Sequence, residues 1–204
     1  MTVREWLEAM AYAPLSSRSP EEARDGHPLH CVPFYDADRH LLVGSIPPHT
    51  GRSAYENETC PNCASSPVPL GLAVCPNCGE PMRNRPVVLQ KSGARLIKGF
   101  ASSYRRMRSD MPAPTVMTNS SHIGSDNKIH PWEPRVLSIL ESADLQTVPR
   151  FFDWSAAVET KRMYLIRNVI GEALPSYFTY LHGSVLRDLL NGDESGLGNL
   201  ADLP

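Results

Sequence analysis

Ile129-His130-Pro131-Trp132-Glu133-Pro134-Arg135-Val136-Leu137-Ser138-Ile139-Leu140-Glu141-Ser142-Ala143-Asp144-Leu145-Gln146-Thr147-Val148-Pro149 is the stretch on which the reading of this 204-residue chain turns. Residues 135–146 predict a helix with Leu137, Leu140 and Leu145 turned inward. Downstream, residues 160–170 mix charges with aliphatics and predict a strand before a turn. Pro175 then opens the strongest helix of the chain. Phe178, Leu181, His182, Val185, Leu186 and Leu189 keep an i, i+3, i+4, i+7 spacing, and proline is favourable in a first helical turn. Beyond Asn191-Gly192 a Gly- and Asp-rich tail is expected to fray.

Upstream the pattern is more broken. Thr2 and Glu5 form a capping-box pair ahead of the helical stripe Trp6, Leu7, Met10, with Pro14 as its stop. Residues 16–30 read as polar loop. Apolar patches around Phe34 and Leu41-Leu42-Val43 suggest strands, and residues 47–57 suggest loop. Val87-Val88-Leu89 and Leu96-Ile97 are strand candidates separated by Ser92-Gly93. Residues 111–127 are rich in Pro, Ser and Asn, with a strand candidate at residues 115–118.

Bulk properties are those of an ordinary globular chain, 41% hydrophobic and 21% charged. Its length suits one or two domains, and nineteen prolines disfavour long uninterrupted helices. The first ten residues carry Arg4, Glu5 and Glu8 instead of an apolar core, so no secretory signal is expected. No apolar run approaches the roughly 20 residues of a membrane helix. The net charge of −2 does not advertise nucleic-acid binding for the chain as a whole. A cytoplasmic protein with no membrane partner is the expectation.

Four of the five cysteines fall into two knuckles, Cys60-Pro61-Asn62-Cys63 and Cys75-Pro76-Asn77-Cys78-Gly79. Two residues between cysteines let both sulfurs reach one ion, and two pairs complete the tetrahedral set of a structural zinc site. Four protein thiolates leave no open position for a reactive water, so the expected Zn²⁺ stabilises a loop too short to fold unaided. The duplication and Gly79 speak against two redox pairs. Cys31 stands apart, and His27 and His30 near it read as loop or core histidines.

Residues 83–108 hold eight basic side chains, Arg83, Arg85, Lys91, Arg95, Lys98, Arg105, Arg106 and Arg108, with Phe100 and Tyr104 among them and no Asp or Glu between. Such a run is commonly a solvated face, but it also supplies the positive potential that neutralises phosphates. Beside a zinc knuckle, and with the family resemblance given next, it is expected to contact double-stranded DNA, with Arg95, Lys98, Tyr104, Arg105, Arg106 and Arg108 as candidates.

The opening stretch resembles a closing motif of the DNA (cytosine-5-)-methyltransferase family. Arg135, Leu137, Glu141, Leu145-Gln146 and Pro149 match the family's Arg, Leu, Glu, Leu-Gln and Pro. Ser138 keeps the hydroxyl of its Thr, and Val148 replaces its aromatic. An amphipathic helix alone would explain the leucines but not Glu141, Gln146 and Pro149 at that spacing with His130-Pro131 upstream. Ile170-Gly171-Glu172-Ala173-Leu174-Pro175 resembles the family's Ile-Gly-Asn-Ala-Val-Pro. The resemblance extends to Tyr104-Arg105-Arg106-Met107 and Pro112-Ala113-Pro114-Thr115-Val116-Met117-Thr118, and more loosely to Thr2-Val3-Arg4-Glu5 and His27-Pro28-Leu29-His30.

The resemblance implies that Arg135, Ser138, Glu141 and Gln146 support the target-recognition region, and that Gly171 and Ala173 lie beside an S-adenosylmethionine site. Glu172 stands where the family has Asn, and a carboxylate there would repel the cofactor's own. Family members flip a cytosine out of the duplex and attack it with a cysteine thiolate from a Pro-Cys dipeptide. Here every cysteine follows His, Thr, Asn or Val. The Glu-Asn-Val triplet, the eighth motif's Arg-Gln pattern and a Gly-rich cofactor turn are missing too.

The resemblance therefore implies an α+β part of an enzyme. A small irregular β-rich target-recognition region with a four-Cys zinc ribbon would be followed by C-terminal helices that dock on a missing α/β methyltransferase domain. The expected divisions are a connecting segment at 1–57, the zinc ribbon at 58–82, the recognition region at 83–130 and helical motifs at 131–204. The favoured expectation is the small subunit of a split enzyme in restriction-modification, Met1 lying near the seam before target recognition. A catalytic methyltransferase subunit would be its partner, supplying the thiol and the S-adenosylmethionine site. The alternative is a non-catalytic zinc-ribbon DNA-binding protein or the remnant of a broken methyltransferase gene. A redox or zinc enzyme is disfavoured by the closed ligand set.

Overall fold

The computed structural model describes residues 1–125 and 129–192, and the expected fraying tail at 193–204 lies outside them. Among the described residues six α-helices, α1 (Val3–Met10), α2 (Ala37–Gly44), α3 (Ile139–Leu145), α4 (Ser155–Glu159), α5 (Met163–Glu172) and α6 (Ser176–Leu190), and a short 3-10 helix at Ala54–Glu56 accompany one hairpin, β1 (Val87–Gln90) with β2 (Gly93–Leu96). The expected β-rich character is corrected. Among the described residues, β structure amounts to this two-stranded antiparallel sheet and isolated bridges such as Thr50↔Arg108 and Ser53↔Arg105. Prolines at 112, 114, 131 and 134 withhold backbone donors from longer ladders.

α1 forms as its sequence predicts. Thr2 accepts the Glu5 N–H and the Glu5 carboxylate accepts the Thr2 N–H at 2.8 Å. The helix stops before Pro14, because Ala11 turns left-handed at φ 50°. Its buried Val3, Trp6 and Leu7 pack with Met107 and Leu137, which joins the chain start to the stretch quoted above.

Two expected strands are helices. Leu41-Leu42-Val43 lies in α2, whose N-cap Asp36 accepts the Arg39 N–H at 2.8 Å. Apolar runs this short carry no period that separates strand from helix. Residues 160–170 do have a helical period in Met163, Ile166, Arg167 and Ile170, and α5 buries the last three of these. The strand candidate at 115–118 forms no strand; its Val116 is buried instead beneath α3 and α5.

Helix α3 begins at Ile139, later than expected. Residues 135–137 lie outside the helix, with Arg135 in a bend and Val136 bridging to Ile129. Ser138 closes a capping box with Glu141, their side chains bonding each other's backbone N–H at 3.1 and 2.6 Å. Ile139 and Ala143 fill the core with Leu29, Ile166 and Ile170, while Leu140 and Leu145 are half-buried around it.

Candidate functional site

Arg135 organises the quoted stretch from within. It is 1% exposed and grips both oxygens of the equally buried Glu141 at 2.7 and 2.8 Å, with Glu133 at 2.7 Å. Burial opposes ionisation of Glu141, but the Arg135 charge and hydrogen bonds prevail and hold it at about 2. His130 lies 3.9 Å from both carboxylates. Its Nδ1 accepts the Glu133 N–H at 3.0 Å. Burial and the Arg135 charge push its pKa well below the usual histidine range, so the ring is neutral. This cluster is a buried scaffold whose charges are matched internally.

Gln146 ties the two sequence motifs together. Its amide donates to the carbonyls of Ile170 at 3.0 Å and Ala173 at 3.2 Å, satisfying the end of α5. Its own carbonyl accepts the Ser176 N–H at 3.2 Å, and Thr147 Oγ1 accepts the Tyr177 N–H at 2.8 Å, so α6 departs from the same point. A Cβ added to Gly171 would fall 2.3 Å from Thr118 N, and 2.4 Å from the Met117 carbonyl carbon. The bare Cα admits residues 117–118 against α5, a packing reason for glycine at this position. Ala173 is exposed at the end of α5, and the expected turn at 170–172 is helical.

The four knuckle cysteines converge. Their sulfurs lie within 4.8 Å of one another, a cluster that could hold a metal ion. Cys60–Cys78 and Cys63–Cys75 are each 3.8 Å apart. A tetrahedron with metal–sulfur bonds of about 2.3 Å has edges of about 3.8 Å, which these two sulfur pairs match. Asn62 donates to Cys78 at 3.7 Å and Asn77 to Cys63 at 3.5 Å, each knuckle's asparagine supporting a sulfur of the other. The Asn77 amide holds Cys63 down at about 6, whereas burial pushes Cys60 up to about 11. Each knuckle closes with a left-handed residue, Gly79 (φ 75°) as expected and Ala64 (φ 57°) in the first.

The basic stretch divides into three groups. Arg106 and Arg85 are buried, at 2% and 0% exposure. Arg106 spends its guanidinium on the carbonyls of Val43, Ile46, His130 and Glu133. Arg106, one of the expected DNA contacts, is thus buried with its guanidinium committed to the chain's own carbonyls. Arg85 donates to the carbonyls of Asn57, Val68, Pro69 and Leu72, joining the ribbon to the body. Arg83, Arg105 and Arg108 pair with Asp38, Glu56 and Asp110 at 3.0, 2.9 and 2.7 Å. Tyr104 is half-buried, edge-on to Tyr55. Lys91, Arg95 and Lys98, all on or beside the hairpin, are exposed and have no acidic partner among the described residues.

No family model matches the chain. It is 35% identical over 111 residues to "Type II methyltransferase M1.HgaI" of Avibacterium volantium, covering 50% of this chain and 29% of that protein. It is 42% identical over 67 residues to "Type II methyltransferase M.AquIB" of Picosynechococcus sp., covering 31% and 44%. It is also 31% identical over 130 residues to "DNA (cytosine-5)-methyltransferase CMT2" of Arabidopsis thaliana, covering 58% and 10%. The chain is related to DNA methyltransferases.

In each of these methyltransferases the chain spans less than half the length. Among the described residues no helix is long and apolar enough to cross a membrane. One feature of this methyltransferase relative carries a sequence signal that went unread, and another carries none. The Ser138–Glu141 capping box was missed, although Ser-x-x-Glu carries its signal. The scaffold role of Arg85 and Arg106 carries none, because a basic run looks the same whether its members face carbonyls or solvent.

Proposed function

We propose that this chain is the target-recognition and closing part of an S-adenosylmethionine-dependent DNA cytosine-5 methyltransferase, acting in restriction-modification. A separate catalytic subunit supplies the cofactor domain, the nucleophilic cysteine and the assisting glutamate. The observation that carries the proposal is α6. It has fifteen residues, none of them buried, and an apolar face of Phe178, Leu181, Val185, Leu186 and Leu189, 39 to 55% exposed. A face of that kind marks an interaction surface, and its attachment through Gln146 presents it together with Ala173 to one partner. None of the chain's cysteines follows a proline, which supports placing the chemistry on that partner.

In this reading S-adenosylmethionine supplies the methyl group on the catalytic subunit, with Ala173 at the rim of its site. Zinc, held by Cys60, Cys63, Cys75 and Cys78, is structural. The residues of this chain bind and orient the duplex, working in the cytoplasm and away from membranes. The test is capture of partners by the tagged chain from its native host, followed by transfer of labelled methyl groups to duplex DNA. Transfer is expected only when the captured partner is present. Transfer by the pure chain overturns the split arrangement, and capture of no methyltransferase favours a non-catalytic DNA-binding protein.

A further inference from the structure

The eight basic side chains between residues 83 and 108 can now be ranked by what already occupies them. Two are buried on carbonyls and three face carboxylates; the exposed remainder are Lys91, Arg95 and Lys98. All three belong to one ribbon. Lys91 is in the turn, Arg95 is on β2 directly across from Val88, and Lys98 follows the base of β2. The ribbon is held at its root, where Tyr55 donates to the Ile97 carbonyl at 2.8 Å and the Ile97 N–H donates to the Pro86 carbonyl. Its turn end is open, since a Cβ placed on Gly93 would meet nothing within 4 Å.

We infer that the β1–β2 hairpin enters the major groove of the target duplex, with Arg95 on a guanine edge and Lys91 and Lys98 on the phosphates either side. This deepens, and rests on, the DNA-recognition reading proposed above. A two-stranded ribbon fits a major groove about 12 Å wide. At about 3.3 Å per residue, the five steps from Gly93 to Lys98 span on the order of 17 Å. The lysines at the two ends can therefore reach both backbones while the arginine sits between them. Only Arg, of the three, presents a planar fork that takes guanine O6 and N7 together.

The test uses the full-length chain, with its metal content measured, and a pool of duplexes with a randomised central region. The wild type is expected to enrich a sequence containing a G·C pair. Arg95→Ala should bind that duplex about tenfold more weakly and lose the preference at one position. Arg95→Lys should lose the same preference while keeping the salt dependence. Lys91→Ala combined with Lys98→Ala should weaken enriched and scrambled duplexes alike and flatten the log K against log salt slope by about 2. Metal content and circular dichroism should match the wild type in every variant, because these side chains are exposed. Selection and salt slope that survive all hairpin substitutions overturn the inference, as does enrichment of no sequence by a wild type that binds. A wild type that retains no duplex overturns the DNA-recognition reading itself.

Discussion

At the scale of single residues, the most consequential pair is Arg135 with Glu141, each 1% exposed. Removing one partner leaves the other as an uncompensated buried charge, at a cost of about 3–5 kcal/mol. Glu141→Gln should lower stability by about that much in urea unfolding, and a change within about 0.5 kcal/mol would refute the account. The pH dependence has a definite sign. Glu141 has its folded value at about 2 against an ordinary 4.5, so its contribution is present above about pH 4.5 and is lost as pH falls toward 2. His130, held well below 6.5, adds to the loss, because the unfolded chain takes up a proton there before the folded one does. The wild type should thus lose stability progressively on acidification below pH 6.5, and Glu141→Gln should flatten the lower part of that profile. Reversing charge at Arg106 would not report on DNA contact. It would remove the donor to four carbonyls and disrupt the core.

At the scale of elements, the four-cysteine cluster proposed to hold zinc is the clearest test. Cys75→Ser removes one of four ligands whose binding energy is folding energy for residues 60–82. Zinc content should fall, and amide protection in that segment should collapse while α1 and α3 remain protected; unchanged metal content would refute a zinc centre. Elements written in short-range chemistry were legible in the sequence. The capping box of α1, the Cys-Pro-Asn-Cys duplication and the proline before α6 each act within a few residues. The hairpin followed from two short apolar runs about Ser92-Gly93, although β2 spans Gly93–Leu96 and leaves Ile97 outside. Elements whose identity depends on what they pack against were not. Leu41-Leu42-Val43 suits strand or helix equally until Asp36 caps α2, and residues 115–118 look like a strand although Val116 simply fills a hole beneath α5. In the site, the cysteine ligands were legible by spacing. The division of arginines into scaffold and surface was not, because it depends on carbonyls as many as 63 residues away.

At the scale of the whole molecule, α6 stands out for what it does not contribute. None of its residues is buried, so substitutions on its apolar face should leave the rest of the chain nearly as stable as before. Leu181→Asp with Leu186→Asp should therefore keep the urea midpoint of the isolated chain while abolishing capture of the proposed catalytic subunit. Loss of global stability would instead place this face in the core, and undiminished capture would put the interface elsewhere.

The Arg85 clamp couples two parts of this arrangement. One guanidinium, immediately before Pro86 and the hairpin, grasps the loop between the knuckles at Val68, Pro69 and Leu72 and the body at Asn57. Stripping the metal, by a chelator or by oxidising the thiols, would slacken that grasp and let the ribbon's aim drift. The helix bound for the partner, rooted in Gln146, would be unaffected. On the proposed function, the molecule would then act as a fused circuit, still assembled but unable to find its address on DNA.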